Sequence, residues 1–234
     1  MSKDERPRRM LDLFCGRGGW TNAFLDRGWE VVGVDLVRNP DYRGEFVQAN
    51  VLQIKASQGR FIIREHEDRG PDLWEYEPDF VCASSPCEKF SIWGMAHFHP
   101  EPEYPFEGIE LFNYTRALLE RAGVRYIMEN VRPAQKFVGE AQAHCGPFYL
   151  WGNAVAPLLP QGITKGIDIG SSKLVKQMSI AERREYRAQF KWNQGWSSSP
   201  QRSRDTALAA TIPPELASCV ADYAERLLEI KATL

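Results

Sequence analysis

The segment LDLFCGRGGW at residues 11–20 predicts a strand that ends in a tight glycine turn and leads into a helix. The apolar run before Gly16 is typical of a buried strand, and the closely spaced glycines favour a turn. A short helix is predicted over residues 20–27, and WEVVGV at residues 29–34 predicts a second strand that ends at Asp35. Strand, helix and strand in this order predict a parallel pair with the helix packed across it.

The same alternation continues along the chain. Strands are predicted over residues 80–83, 124–128 and 148–151, and a helix over residues 109–122. Pro213-Pro214 opens a final helix. Its apolar face is formed by Leu216, Val220, Tyr223, Leu227 and Ile230. The pattern predicts an α/β fold of the Rossmann-like kind, with a mostly parallel twisted sheet flanked by helices.

The composition is that of a globular chain of 234 residues, 43% hydrophobic and 26% charged. Seven Trp, eight Tyr and twelve Phe are more apolar surface than a disordered chain carries, and no apolar run is long enough for a membrane span. The five cysteines show no CxxC spacing, which argues against a disulfide framework and a zinc ribbon. With no leader-like apolar stretch at the start, the cytoplasm is the expected compartment, with no membrane partner.

The net charge of −2 conceals an uneven distribution, because residues 151–200 carry four more positive than negative charges. A capped helix is predicted from Ser179 and a mobile loop over residues 193–204. The aromatic residues of this segment are Tyr186, Phe190, Trp192 and Trp196. Two interpretations stay open: a surface that contacts nucleic acid, or a small helix packed on the body.

Chemically distinctive residues follow three of the predicted strands. The glycine turn would let the backbone approach a nucleotide-like ligand, and Asp35 is placed for ribose hydroxyls. Cys87 lies in ASSPCEKFS at residues 83–91, where a thiolate could act as a nucleophile. Glu129 lies in MENV at residues 128–131, where a partly desolvated carboxyl could donate a proton. Because parallel strands end at one edge of a sheet, these groups are expected to lie together.

Together these motifs resemble those of the cytosine-C5 DNA methyltransferases, specifically the short phage-type members. LDLFCGRGGW is similar to the family's S-adenosylmethionine motif, SPCEKFS to its nucleophile loop, and MENV to its ENV motif. AATIPPELASCVADYA at residues 209–224 is similar to the last motif, a helix that packs beside the first strand and closes the cofactor pocket. The resemblance covers residues 11–155 and 201–227, and it implies the S-adenosylmethionine-dependent methyltransferase fold with a reduced target-recognition region.

The resemblance also implies a role for individual residues. Cys87, which follows Pro86, would be the nucleophile that attacks C6 of cytosine. Glu129 would be the partner of the cytosine N3, and Asn130 would hold the nucleophile loop. The implied cofactor-binding residues are Phe14, Gly16, Gly18, Trp20, Asp35, Leu36, Asn50, Val51 and Ser85. Asn50 stands where the family usually has an acid, and SPCE stands in place of PPCQ.

Two further departures concern the substrate. The family's cytosine-contacting arginine is replaced at the matching position by His144, and the alternatives for that contact are Arg132, Arg202 and Arg204. Full-length members insert a recognition domain where this chain has only residues 151–200. We therefore expect a catalytic domain over residues 1–150, a small basic recognition segment over 151–200, and a return to the catalytic domain over 201–234. We expect the protein to recognise a short or loosely defined DNA sequence, or to need a second subunit for recognition.

The implied substrate is double-stranded DNA with the target cytosine flipped out, because a cytosine inside a duplex cannot reach such a site. The same chemistry on RNA stays open, as do the monomer and the homodimer. A non-catalytic DNA-binding homologue and a small-molecule methyltransferase are disfavoured, because the chain keeps Cys87 and Glu129. No metal is expected, since nothing completes a site around His97 and His99.

Overall fold

The computed structural model of the protein describes residues 6–64, 73–94, 101–163 and 211–232. Within these ranges the chain forms one compact unit in which residues 211–232 pack with the N-terminal part. None of the described helices is long and apolar enough to cross a bilayer. The predictions for His97, His99, Arg202 and Arg204, for the helix from Ser179 and for the loop of residues 193–204 lie outside the described residues.

The described elements alternate strands and helices in the first half and end in a long helix. The strands are β1 (Arg9–Leu13), β2 (Glu30–Asp35), β3 (Glu45–Gln48), β4 (Lys55–Ser57), β5 (Arg60–Arg64), β6 (Leu73–Tyr76), β7 (Phe80–Ser84), β8 (Arg125–Asn130), β9 (Ala143–Cys145) and β10 (Phe148–Gly152). The helices are α1 (Gly19–Leu25), α2 (Glu88–Trp93), α3 (Phe106–Ala122), α4 (Gln135–Val138) and α5 (Pro214–Ala232), with short 3-10 turns at Val51–Gln53 and Arg132–Ala134.

Seven strands form one sheet in the order β3-β2-β1-β7-β8-β10-β9. The first five strands of this order pair in parallel, while β10 pairs antiparallel with both β8 and β9. The chain leaves β1 towards β2 on one side and later enters β7 on the other side of β1. Ligands in open α/β sheets bind where the strand order reverses in this way, outside the carboxyl ends of the strands. The predicted mostly parallel sheet is confirmed, and its reversal point lies between β1 and β7.

The sheet is buried on both faces because its central strands are apolar at nearly every position. Leu11 on one face packs in a cluster with Phe112 and Leu118 of α3. Met10 on the other face packs in a cluster with Phe24 of α1 and Leu216 of α5. α5 therefore covers the same face of the sheet as α1, beside the first strand.

Several predicted boundaries shift. β8 extends to Asn130 rather than ending at Met128, because β10 pairs with its last residues and keeps them in the ladder. α3 begins at Phe106, three residues before the predicted start. In α5, Leu216 and Val220 are buried as predicted, but Ile230, near the end of the helix, is 58% exposed. The antiparallel sheet β4-β5-β6 was not predicted, since its strands are short and lie between charged residues.

Candidate active site

The predicted site residues lie at the carboxyl ends of four adjacent strands. Leu13 at the end of β1 is in register with Val34 of β2 and with Ala83 of β7. Ser84, the last residue of β7, is in register with Glu129 of β8. The expectation that the glycine turn, the Pro-Cys segment and Glu129 meet at one sheet edge is therefore confirmed by the strand register.

The glycine turn after β1 is held in an unusual backbone conformation. Phe14, Gly16 and Gly18 all have positive φ angles, of 61°, 49° and 78°. Asp35 at the end of β2 supports this shape, because its Oδ2 accepts a hydrogen bond from the Gly16 amide at 3.0 Å and its Oδ1 accepts one from the Leu36 amide at 2.7 Å. Each carboxylate oxygen keeps a further lone pair for a ligand hydroxyl. Sequence reasoning assigned Asp35 a ribose contact and missed this role in shaping the turn.

Space around the turn fits a ligand that lies against the backbone. Among the described residues, a Cβ built on Gly16 would meet only the Phe14 carbonyl, at 3.9 Å, so none of them fills the outer side of the turn. A Cβ on Gly19 would instead lie 2.8 Å from the amide nitrogen of Ile212, so the residues before α5 pack closely on the start of α1. Leu36, which is 52% exposed, continues the open edge next to Asp35.

Other residues predicted to bind the cofactor have structural contacts of their own. Trp20 is only 2% exposed, and its indole N–H donates to the Ser84 hydroxyl at 2.9 Å, so its ring is covered by the core rather than presented at the open edge. Val51 is likewise buried in the core. The Asn50 side-chain oxygen accepts from the Leu52 amide at 3.0 Å and caps the following turn. The Asn50 amide nitrogen keeps both of its donors, and its oxygen keeps one further lone pair, so either atom could contact adenine.

The loop that carries Cys87 is tied to the end of β8 by one buried side chain. The Asn130 Nδ2 donates to both the carbonyl and the hydroxyl of Ser85, each at 3.0 Å, and its Oδ1 accepts from the Val131 amide at 2.8 Å. Both Asn130 and Ser85 are buried. These contacts agree with the predicted loop-holding role of Asn130, and they place Ser85 in that support rather than at an open cofactor surface.

Cys87 differs from the other cysteines in its position. It is half-buried at the start of α2, where its carbonyl accepts from the Ser91 amide at 2.8 Å. Burial raises the pKa of the Cys15 and Cys82 thiols, so neither is a source of thiolate near neutral pH. Burial also raises the pKa of Cys145 and Cys219, whose thiols donate to backbone carbonyls.

Glu129 and His144 occupy different sides of the sheet. Glu129, 9% exposed, is in register with Leu150 of β10. Asn130 pairs with Tyr149, and Tyr149 pairs in turn with His144 on the edge strand β9, where the two rings stack at 5.0 Å. Since successive residues of a strand face opposite sides, this register places His144 on the side of Asn130 and not with Glu129.

Arg132 lies two residues after the end of β8 and is exposed. Together with Trp93 of α2 and Lys136 of α4, it lines a cleft of about 510 Å³. Lys136 holds its Nζ 4.5 Å from the centre of the Trp93 ring. Of the three arginines considered for the cytosine contact, Arg132 is the one within the described residues, and it follows the same strand as Glu129.

A buried polar chain beneath the glycine turn was not identified from the sequence. The Thr21 hydroxyl donates to Asp12 Oδ2 at 2.7 Å and lies 2.8 Å from the Tyr42 hydroxyl. The available signal was an aspartate inside an apolar strand, since a buried charge without partners is costly and must be neutralised or hydrogen-bonded. Among the described residues, no cluster of three or more His, Cys, Asp or Glu side chains has the arrangement of a metal site.

Residues 8–140 match the family model of the C-5 cytosine-specific DNA methylases. The chain belongs to this family. The match includes the glycine turn, Cys87, Glu129 and Asn130, and it ends before His144 and α5. The family and the fold class that the motifs predicted are therefore confirmed.

Solved structures resemble this chain over part of its length. A prophage-encoded protein of E. coli, assigned as a DNA modification methyltransferase, is 17% identical over 54% of this chain and 33% of its own, with a TM-score of 0.35. The 1,6-didemethyltoxoflavin-N1-methyltransferase of Burkholderia thailandensis is 20% identical over 62% and 54%, with a TM-score of 0.31. A mutant of Spodoptera frugiperda DNMT2 is 19% identical over 55% and 37%, with a TM-score of 0.31. The chain thus spans between a third and about half of these structures, and no curated protein matches it.

Proposed function

We propose that this protein is a DNA cytosine-C5 methyltransferase that uses S-adenosylmethionine and a covalent bond between Cys87 and the target base. The observation that carries the proposal is the buried hydrogen-bonding of Asn130 to Ser85, which ties the loop of Cys87 to the end of the strand that bears Glu129. Membership of the cytosine-specific methylase family supports the same assignment.

The roles of Cys87 and Glu129 follow from the chemistry of cytosine, whose C5 is a poor nucleophile. The Cys87 thiolate would form a bond to C6 and break the C5–C6 π bond, whose electrons shift to C5 and through C4 towards N3, where Glu129 gives a proton or a hydrogen bond. C5 then becomes electron-rich and can accept a methyl group. Loss of the C5 proton to a base re-forms the double bond and expels the Cys87 thiolate.

The residues at the glycine turn fit the methyl donor. S-adenosylmethionine, when bound, supplies an electrophilic methyl group on a sulfonium. The open side of Gly16 and the positive φ angles of the turn would let the backbone approach its nucleoside part, and the free lone pairs of Asp35 would accept ribose hydroxyls. Phe14 and Leu36 would provide the apolar contacts at the same edge.

The proposed substrate is duplex DNA with the cytosine flipped out of the helix, since Glu129 and Asn130 lie at a buried sheet edge that a stacked base would not reach. Exposed Arg132 beside the site could meet the phosphate backbone. The five free cysteines suit the reducing cytoplasm in which we place the protein.

An oligonucleotide that carries 5-fluorocytosine tests the proposal, because fluorine at C5 cannot leave as a proton and the covalent intermediate accumulates. With S-adenosylmethionine present, intact mass should show protein plus oligonucleotide plus one methyl group. Cys87→Ser should abolish the adduct and the turnover while leaving cofactor binding in place. Cys219→Ser is the matched control, and it should form the adduct as the wild type does, because the Cys219 thiol donates to the Leu158 carbonyl and takes no part in the proposed reaction.

Two outcomes would contradict the proposal. Near-wild-type turnover of Cys87→Ser would refute the covalent mechanism. An adduct that forms on 5-fluorocytosine RNA but on no DNA sequence would reassign the substrate to RNA.

A further inference from the structure

The loop between β2 and β3, residues 36–44, is fastened to the glycine turn by one aromatic side chain. Tyr42 is buried although it lies in a loop. A Cβ on Gly18 would lie 3.1 Å from the Tyr42 ring, and a Cβ on Gly33 would collide with its hydroxyl. Both glycines therefore leave the space that the Tyr42 side chain fills.

The Tyr42 hydroxyl belongs to a buried hydrogen-bonded chain that reaches β1. The Thr21 hydroxyl donates to Asp12 at 2.7 Å, and it lies 2.8 Å from the Tyr42 hydroxyl in a hydrogen bond for which either oxygen can be the donor. Asp12 lies two residues before Phe14, and Thr21 lies in the first turn of α1. The chain of hydrogen bonds thus joins the two sides of the glycine turn to the loop of residues 36–44.

Ion pairs at the surface hold the same loop more weakly. Arg17 in the glycine turn pairs with Asp41 at 2.8 Å, and Arg43 pairs with Asp26 at 3.1 Å. Three of these four side chains are more than half exposed, so water and salt screen both pairs. Tyr42 makes the buried contact, and we expect it to contribute most to the position of the loop.

We propose that Tyr42 is a positioning residue for the methyl donor. The loop that it fastens begins at Leu36, directly after Asp35, and Asp35 in turn holds the Gly16 amide. Tyr42 would therefore keep the two walls of the donor site, the glycine turn and Asp35 with Leu36, at a fixed separation before the ligand arrives. A site whose walls are ordered in advance loses less entropy on binding. The inference rests on the proposed function, because it takes S-adenosylmethionine to bind at the glycine turn.

Tyr42→Phe tests the inference, since it removes one hydroxyl and keeps the ring between the glycines. The dissociation constant for S-adenosylhomocysteine, measured by isothermal titration calorimetry, should rise about fivefold to tenfold, as expected for one lost buried hydrogen bond. The KM for S-adenosylmethionine should rise by a similar factor, while kcat at saturating donor and the KM for the oligonucleotide stay unchanged. If Tyr42 only stabilised the fold, the substitution would not raise the KM for S-adenosylmethionine while leaving the KM for the oligonucleotide unchanged.

Tyr76→Phe is the matched control. The Tyr76 hydroxyl lies 3.4 Å from the Met10 carbonyl oxygen and 3.2 Å from the Glu30 carbonyl oxygen. These two residues lie near the amino-terminal ends of β1 and β2, whereas the glycine turn and Asp35 lie at the carboxyl ends. The Tyr76→Phe substitution should lower the resistance of the protein to urea without changing the dissociation constant for S-adenosylhomocysteine.

The outcomes separate this inference from the proposed function. A folded Tyr42→Phe variant with the wild-type dissociation constant would overturn the role of Tyr42 alone, and so would an equal loss in Tyr76→Phe. A wild-type protein that binds no S-adenosylhomocysteine would overturn the proposed function, and the donor role of Tyr42 with it.

Discussion

Asp12 should make the stability of this protein fall as the pH rises towards neutrality. Its side chain is 1% exposed, Oδ2 accepts from Thr21, and Oδ1 has no hydrogen-bond partner among the described residues. Burial raises the pKa of this carboxyl from its ordinary value of 3.8 to about 7, because the ionised form loses its water. The folded protein therefore keeps a proton that the unfolded chain releases.

The sign and size of the effect follow from proton linkage. Between about pH 4 and pH 7 the folded state binds more protons at Asp12 than the unfolded state, so the free energy of unfolding decreases as the pH rises. A rise in pKa from 3.8 to about 7 corresponds to about 4 kcal/mol over the whole range. From pH 5 to pH 8 the loss is about 3 kcal/mol, and it levels off above the folded pKa.

Asp12→Asn isolates this contribution because the amide has the same shape and does not titrate. Urea unfolding of the wild type and the variant at pH 5, 6, 7 and 8 gives the difference between their free energies of unfolding at each pH. The contributions of the other carboxyl groups cancel in this difference, because both proteins contain them. This difference should shift in favour of the variant by about 1.3 kcal/mol between pH 5 and pH 6 and by about 1 kcal/mol between pH 6 and pH 7. A difference that stays constant with pH would refute a buried Asp12 with a raised pKa, whatever its absolute size.

Two further substitutions address the reaction edge of the sheet. Glu129→Ala should lower kcat about 100-fold or more, as for loss of a proton donor, with little change in S-adenosylhomocysteine affinity; a loss confined to cofactor binding, seen in calorimetry, would remove Glu129 from the catalytic role. Asn130→Ala should cost about 3 kcal/mol of stability, because it leaves Ser85 and Val131 without buried hydrogen bonds, and it should lower kcat. An unchanged urea midpoint would show that Asn130 does not hold the loop.

The sequence was sufficient to predict which residues share an edge of the fold. Apolar runs, the glycine turn and the residues directly after each strand are local features, and parallel strands in an α/β sheet end on the same side. The positions of Asp35, Cys87 and Glu129 at the carboxyl ends of β2, β7 and β8 therefore followed from pattern alone. The motifs identified the family for the same reason, since each is a short contiguous segment.

Several contacts came only with the folded chain. Asn130 reaches Ser85 across 45 residues, and its register with Tyr149 extends β8 beyond its predicted end. Such contacts depend on how strands pair, and the sequence of one strand does not specify its neighbour. The face of a side chain also depends on register, because neighbouring residues of a strand point to opposite sides. His144, which was predicted to take the place of the cytosine-contacting arginine, therefore lies on the other side of the sheet from Glu129.

The folded protein differs most from the sequence-based expectations in which side chains are buried. The sequence assigned Trp20 to the cofactor, and it gave no role to Asp12 or Tyr42. In the folded protein each is covered by segments distant in the chain, and Gly33 leaves the space for the Tyr42 hydroxyl. The chemistry of a polar side chain depends on the water that packing removes from it, and that water is excluded by all the surrounding segments together.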